Sequence, residues 1–356
     1  MTLTSKINGK TKKDKEFKNI LLSVEPEKEH YYTHSGKTPF SEEYITVVPN
    51  ELKDQQRFSS LLGVAFDYLA RFRIAQFLSR EDVVDAMNAV KGFRKIRIYQ
   101  LRESGEFLED EYYFSLKKKV LEFINDSTQP ISSICEEAVR LAKFEQINRM
   151  RVKGGSLNFD YLLIDSAPLD VVNELDRLMS VFEEKFMVPE IINEKSKVVF
   201  NPEFGAGSSL VDGADADIYI DGTLYDFKTT KDKSLKKNDN LQLIGYYLLN
   251  EIALKTLSEY DFNYTRMDIK RLAFYKARFG ETEYYDVCSY LPYDVRLKQK
   301  LKEIAIHFKD KKIRPPHLLA DIEEVQEILE EIRNWDFEEE LDSNKKYMNL
   351  ILGKNK

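Results

Sequence analysis

Apolar positions along this chain repeat at two different periods. Phe58, Leu61, Leu62, Ala65, Phe66, Leu69 and Phe72 recur at spacings of three and four, which lays one stripe along a helix and predicts that helix over 58–78. Further amphipathic segments cover 117–124, 134–147 and, after Pro168, 169–186, with a break at Gly154, Gly155 and Ser156. From residue 197 the periodicity shortens to that of strands. Lys197–Phe200 and Asp217–Ile220 read as strands, Asp221-Gly222 as a two-residue hairpin turn, and Thr223–Lys228 as the return strand. A lysine-rich loop over 231–240 leads into a helix over 241–257. Arg271–Tyr275 and Glu283–Val287 read as a second hairpin around Phe279-Gly280, and 295–308 and 318–335 as two amphipathic helices. Residues 1–50 are polar, with short apolar pieces such as Ile20–Leu22 and a turn signal at Gly36-Lys37-Thr38-Pro39. They read as an extension with little core of its own.

With 356 residues, 42% hydrophobic and 32% charged, the chain can build one large domain or two ordinary ones. It has no run of about 18 apolar residues, so no membrane span is expected. The lysine-rich start, Met1–Lys18, lacks the apolar stretch of a secretory signal, and a cytoplasmic location follows as the expectation. Fifty-four basic against 61 acidic residues give a net charge of −7, which excludes coating nucleic acid through bulk positive charge but not contact through one local basic groove. Cys135 and Cys288 are too few for a four-cysteine site and read as reduced thiols.

The chemistry concentrates in Gly213–Thr229. Pairing about the Asp221-Gly222 turn sets Ile220 opposite Thr223 and Asp217 opposite Asp226. Strands disfavour aspartate, and two facing carboxylates repel unless a cation or proton lies between them. Magnesium is bound by one or two carboxylates together with water and substrate phosphate. Lys228, two residues after Asp226, projects from the same strand face. Two carboxylates and an ammonium group around one point suit metal-assisted hydrolysis, with the metal activating water and the ammonium orienting it.

This arrangement resembles the PD-(D/E)XK nuclease superfamily. Asp217 matches its first aspartate and Asp226-Phe227-Lys228 its acidic-x-lysine element. Gln242-Leu243-Ile244-Gly245-Tyr246 is similar to the Q-x-x-x-Y helix motif of the RecB-type branch, whose spacing puts Gln242 and Tyr246 on one helix face. The G-x-x-x-H element of that branch has its counterpart in Gly63–Asp67, where Asp67 replaces the usual histidine ligand. An oxygen ligand is acceptable to magnesium; Glu137 and Glu203 are the alternatives.

The resemblance implies an α/β, restriction-endonuclease-like core, a mixed central sheet flanked by helices, with a helical insertion and C-terminal helices. The corresponding divisions are an N-terminal extension 1–50, a core helix in 51–80, a helical insertion 81–190, the catalytic core 191–290 and a C-terminal helical element 291–356. It implies magnesium- or manganese-dependent hydrolysis of DNA phosphodiester bonds, without deciding between trimming ends and cutting internally. Asp217, Asp226, the main-chain carbonyl of Phe227 and Asp67 would hold the metal, Lys228 would position the water, and Gln242 and Tyr246 would contact substrate or fix the site. The cysteines that hold an iron–sulfur cluster in some members are missing, so no cluster is expected. Lys231, Lys233, Lys236 and Lys237 form either a solvated loop or a path for a phosphate backbone. The alternative function is a catalytically silent nuclease-fold subunit that binds nucleic acid or scaffolds a larger complex. No helicase motif is visible, so a helicase, a transposase or a defence-system partner would be a separate protein.

Other motifs fail on inspection. The acids Asp212, Asp215, Asp217 and Asp221 do not make a calcium loop, because Tyr219 and Ile220 break the required pattern. Gly9-Lys10-Thr11 and Gly36-Lys37-Thr38 have Thr4 and Tyr31 where a phosphate-binding loop needs its first glycine. His30, His34, His307 and His317 have no spacing that suggests a zinc site or a nucleophile's base.

Overall fold

The sheet grows outward from the Asp221-Gly222 turn. Both residues take positive φ, 45° and 92°, the values a two-residue hairpin of the correct twist requires. They join β3 (Ile218–Ile220) to β4 (Thr223–Lys228). The computed structural model describes residues 2–103, 110–149, 167–257, 264–291, 294–313 and 321–337. Among these the sheet has six strands, in the order β1-β6-β5-β4-β3-β2. The others are β1 (Tyr32–Thr33), β2 (Val198–Phe200), β5 (Arg271–Lys276) and β6 (Glu281–Asp286). Neighbours are antiparallel except β4 and β5, which run parallel. A parallel pair needs a crossover between its strands, and that connection contains a long helix, Lys237–Lys255.

Side chains alternate between the two faces of the sheet, as the pleat dictates. Ile218, Ile220, Tyr225, Phe227, Ala273 and Tyr275 pack into one helical layer. Tyr219, Leu224, Leu272, Phe274 and Tyr285 pack into another. In chain order the helices are α1 (Leu3–Ile7), α2 (Lys12–Leu22), α3 (Gln55–Leu78), α4 (Ala89–Glu103), α5 (Asp110–Ile124), α6 (Cys135–Arg149) and α7 (Leu169–Lys185). After them come α8 (Gly205–Leu210), α9 (Lys237–Lys255), α10 (Val287–Tyr290), α11 (Val295–His307) and α12 (Ile322–Arg333). Helices α3 to α7 share the first layer, and α1, α2, α8, α9, α11 and α12 the second. The result is an α/β protein with a mixed open sheet between two helical layers. None of the described helices is long and apolar enough to cross a membrane.

Helix α3 lies between the sheet and the rest of its layer, which is why apolar residues surround most of it. Phe66 meets Phe182 of α7 and Phe227 of β4 edge-on, at ring-centroid distances of 5.8 and 6.0 Å. This contact fixes α3 beneath the strand that carries the acidic-x-lysine element. The first fifty residues are more integrated than their polar composition suggests. Leu3, Phe17, Leu21, Tyr31 and Phe40 are buried in the second layer, and the Tyr31 hydroxyl donates to Asn240 Oδ1 of α9 at 2.7 Å. The Gly154, Gly155 and Ser156 break, His317 and the expected helix start at 318–320 lie outside the described residues.

A buried ion pair ties three segments together next to the end of β4. Arg278 and Glu174 are paired and almost wholly inaccessible, at 1% and 0% side-chain exposure. Arg278 also donates to the carbonyls of Thr229 and Val48, while Glu174 Oε2 accepts from the Glu51 amide at 2.9 Å. Removing one partner leaves the other charge buried without compensation. Glu174→Ala is therefore expected to cost about 3–5 kcal/mol in urea unfolding. A loss below about 1 kcal/mol would contradict this assignment.

Candidate metal centre

The β3–β4 register pairs Ile220 with Thr223, Tyr219 with Leu224 and Ile218 with Tyr225. Carried one step further, it sets Asp217 against Asp226. The Phe227 amide donates to Asp217 Oδ2 at 2.6 Å, so this carboxylate closes the end of the ladder. From the β2 side, the Asn201 amide holds the Asp217 carbonyl at 3.1 Å. On the next strand Asp226 is only 6% exposed. The Lys228 ammonium stands 2.6 Å from its Oδ2 and 3.5 Å from Oδ1 of Asp239, in the first turn of α9. The Lys228 carbonyl accepts from the Ala277 amide, towards β5. By strand alternation the Phe227 carbonyl faces the opposite way, towards Asp217.

Helix α3 approaches the same place. A Cβ on Gly63 would come within 3.3 Å of Thr229 Oγ1, so the absent side chain lets the helix sit close to the residue after Lys228. One turn later Asp67 is half-buried, near enough to Asp217 for that charge to act on it. Arg71, a further turn along, donates from Nε to the Asp67 carbonyl and from Nη1 to Asn201 Oδ1, both at 2.9 Å. Arg149, at the end of α6, pairs with Glu145 and feels the charges of Asp215 and Asp67. Asp215 accepts from Asn88 Nδ2 at 3.0 Å. From α9 the Gln242 amide donates to the buried Tyr246 hydroxyl, whose ring stacks on Phe204 with centroids 5.3 Å apart.

The electrostatics follow from taking carboxylates out of water. Burial pushes Asp226 up to about 7, with the Lys228 charge opposing and the Asp217 charge adding. Burial also raises Asp217, against the Phe227 amide, Arg71 and Lys228. It raises Asp67 well above the usual range, and Asp217 adds to the effect. For Lys228, burial lowers the pKa, but Asp226 and Asp239 outweigh it and leave the ammonium more basic than usual. Tyr246 is raised by burial, then by Asp215 and Asp226.

Asp217, Asp226 and Lys228 thus converge, with Gln242 and Tyr246 packed beside them and Asp67 approaching from α3. The other two candidate third acids are engaged elsewhere. Glu137 pairs with Lys119 of α5 at 2.6 Å and Glu203 with Lys91 of α4 at 3.1 Å. Among the described residues no group of three or more His, Cys, Asp or Glu side chains is disposed to hold a metal ion. A hard cation of the magnesium kind needs only one or two carboxylates, completed by carbonyl oxygen, water and phosphate. Asp226 fits that requirement, since its Oδ2 is buried and meets only the Lys228 ammonium. The lysine loop is partly neutralised, because Lys233 pairs with Glu42 at 2.8 Å and Lys236 with Asp232 at 3.6 Å. Lys231 and Lys237 are exposed. Arg71, Arg149 and Asp239 were not anticipated from the sequence. Arg71 and Asp239 carried a signal, at helical spacing from Asp67 and from Gln242 respectively; Arg149 carried none.

Comparison of the chain with protein-family models, with curated proteins and with solved structures finds no match in any of the three.

An aspartic acid that ionises near 7 when folded and near 3.8 when unfolded binds its proton more tightly in the folded state. Its contribution to stability is present at low pH and is lost as pH rises through about 7. Asp226→Asn cannot ionise. Between pH 5 and 8, without divalent cations, the variant should gain on the order of 2–3 kcal/mol relative to the native chain in urea unfolding. Parallel stability profiles for the two proteins would contradict the assigned shift.

Proposed function

We propose that this chain is a metal-dependent nuclease that hydrolyses DNA phosphodiester bonds at the site formed by Asp217, Asp226 and Lys228. The observation that carries the reading is the convergence at one end of the β3–β4 ladder. Two carboxylates, one just before β3 and one on β4, and the ammonium group of Lys228 meet there, the last at 2.6 Å from Asp226 Oδ2. The mixed sheet between helical layers, with α3 and α9 both reaching this end, supports a restriction-endonuclease-like core.

Asp217, Asp226 and the Phe227 carbonyl would hold magnesium or manganese, with Asp67 completing the set from α3. Bound there, the cation would supply Lewis acidity to the phosphate and make a bound water more acidic. Lys228 remains an ammonium at neutral pH, because two acids hold it. It therefore donates hydrogen bonds that orient the attacking water and offset negative charge growing on the phosphate. The water oxygen forms a bond to phosphorus, one ester P–O bond breaks, and the leaving oxygen departs as an alcohol, taking up the proton that the water gives up. Gln242 holds the Tyr246 hydroxyl in a fixed orientation beside the acids, which suits contact with substrate or support of the site. Exposed Lys231 and Lys237 supply positive charge for a phosphate backbone.

Cleavage of plasmid and oligonucleotide DNA with magnesium or manganese tests this reading. Lys228→Ala and Asp226→Asn should each lower the rate on the order of 10²–10³-fold. DNA binding without cleavage by the native chain and both variants would instead support a silent nuclease-fold subunit.

A further inference from the structure

One oxygen is claimed twice in this site. Asp226 Oδ2, the buried acceptor suited to a cation, is the nearer of the two carboxylate oxygens paired with the Lys228 ammonium, at 2.6 Å. A divalent cation and an ammonium group cannot both occupy one carboxylate oxygen at contact distance without strong repulsion. Asp239 offers Lys228 another acceptor, Oδ1, 3.5 Å from Nζ.

Asp239 is well placed for that task. The next residue, Asn240, is buried, accepts from the Tyr31 hydroxyl at 2.7 Å and donates to the Pro26 carbonyl at 2.8 Å. The first turn of α9 is therefore anchored to the N-terminal segment. The other nearby lysine, Lys276, is committed. It donates to the carbonyls of Lys233 and Ser234 and lies 3.4 Å from Glu283. Lys228 and Asp239 line one small cleft of about 10 Å³, together with Thr230 and Phe274.

We propose that Asp239 is a positioning residue that takes over the Lys228 ammonium, freeing the Asp226 carboxylate for a divalent cation while keeping the positive charge at the site. This inference rests on the metal-dependent reading above. Manganese binding to the full chain, followed by electron paramagnetic resonance, separates the two. Asp239→Asn should weaken manganese binding roughly three- to tenfold, and Asp239→Glu should restore it. In a Lys228→Ala background there is no ammonium to relocate, so Asp239→Asn should change affinity less than about twofold. Equal weakening in both backgrounds would make Asp239 a direct influence on the cation and overturn the proposal, as would no weakening in either. Manganese binding that survives Asp226→Asn unchanged would overturn the metal reading itself, and with it the role given to Asp239.

Discussion

The contact between Asp226 and Lys228 governs how the rest of the site is understood. A carboxylate that is only 6% exposed is costly to ionise, and a single ammonium 2.6 Å from its buried Oδ2 offsets only part of that cost. Its ionisation shifts to about 7 despite the ion pair, which shows that desolvation outweighs the attraction. Asp217 and Asp67 sit in the same regime, each raised by burial. Acids held this way have unmet capacity for positive charge. That capacity is the physical basis of the nuclease proposal.

The fold spends several elements on keeping these groups together. The positive-φ turn at Asp221-Gly222 sets the register that pairs Asp217 with Asp226. The Phe66 contact with Phe227 holds α3 under the strand, which brings Asp67 to the ladder's end. The parallel crossover through α9 returns Asp239, Gln242 and Tyr246 to the face that carries Asp226 and Lys228. Beyond β4, the Arg278–Glu174 pair grips the Thr229 carbonyl, so the chain leaves Lys228 in a fixed direction.

What could be read from the sequence depended on how local the determining physics is. The hairpin was legible because an Asp-Gly turn specifies its own pairing, and α3 because its apolar stripe, Phe58 to Phe72, runs for about four turns. Helices α1 and α2 and the two-residue strand β1 were not, since α1 and β1 are too short to show a period, α2 buries only Phe17 and Leu21 among its apolar residues, and the segment is held by tertiary contacts such as Tyr31 with Asn240. Arg149 reaches the acids through helix packing alone, with no sequence signal. Helix α9 begins at Lys237, four residues earlier than its apolar pattern, because polar Asp239 and Asn240 occupy its first turn. That early start places Asp239 beside Lys228.

The most direct measurement is an anomalous difference map from a crystal of this protein soaked with manganese. The account requires a peak in contact with the Asp217 and Asp226 carboxylates, with Lys228 moved off Asp226 Oδ2. A peak bound by other residues, or unbroken Asp226–Lys228 contact at saturating manganese, would contradict it.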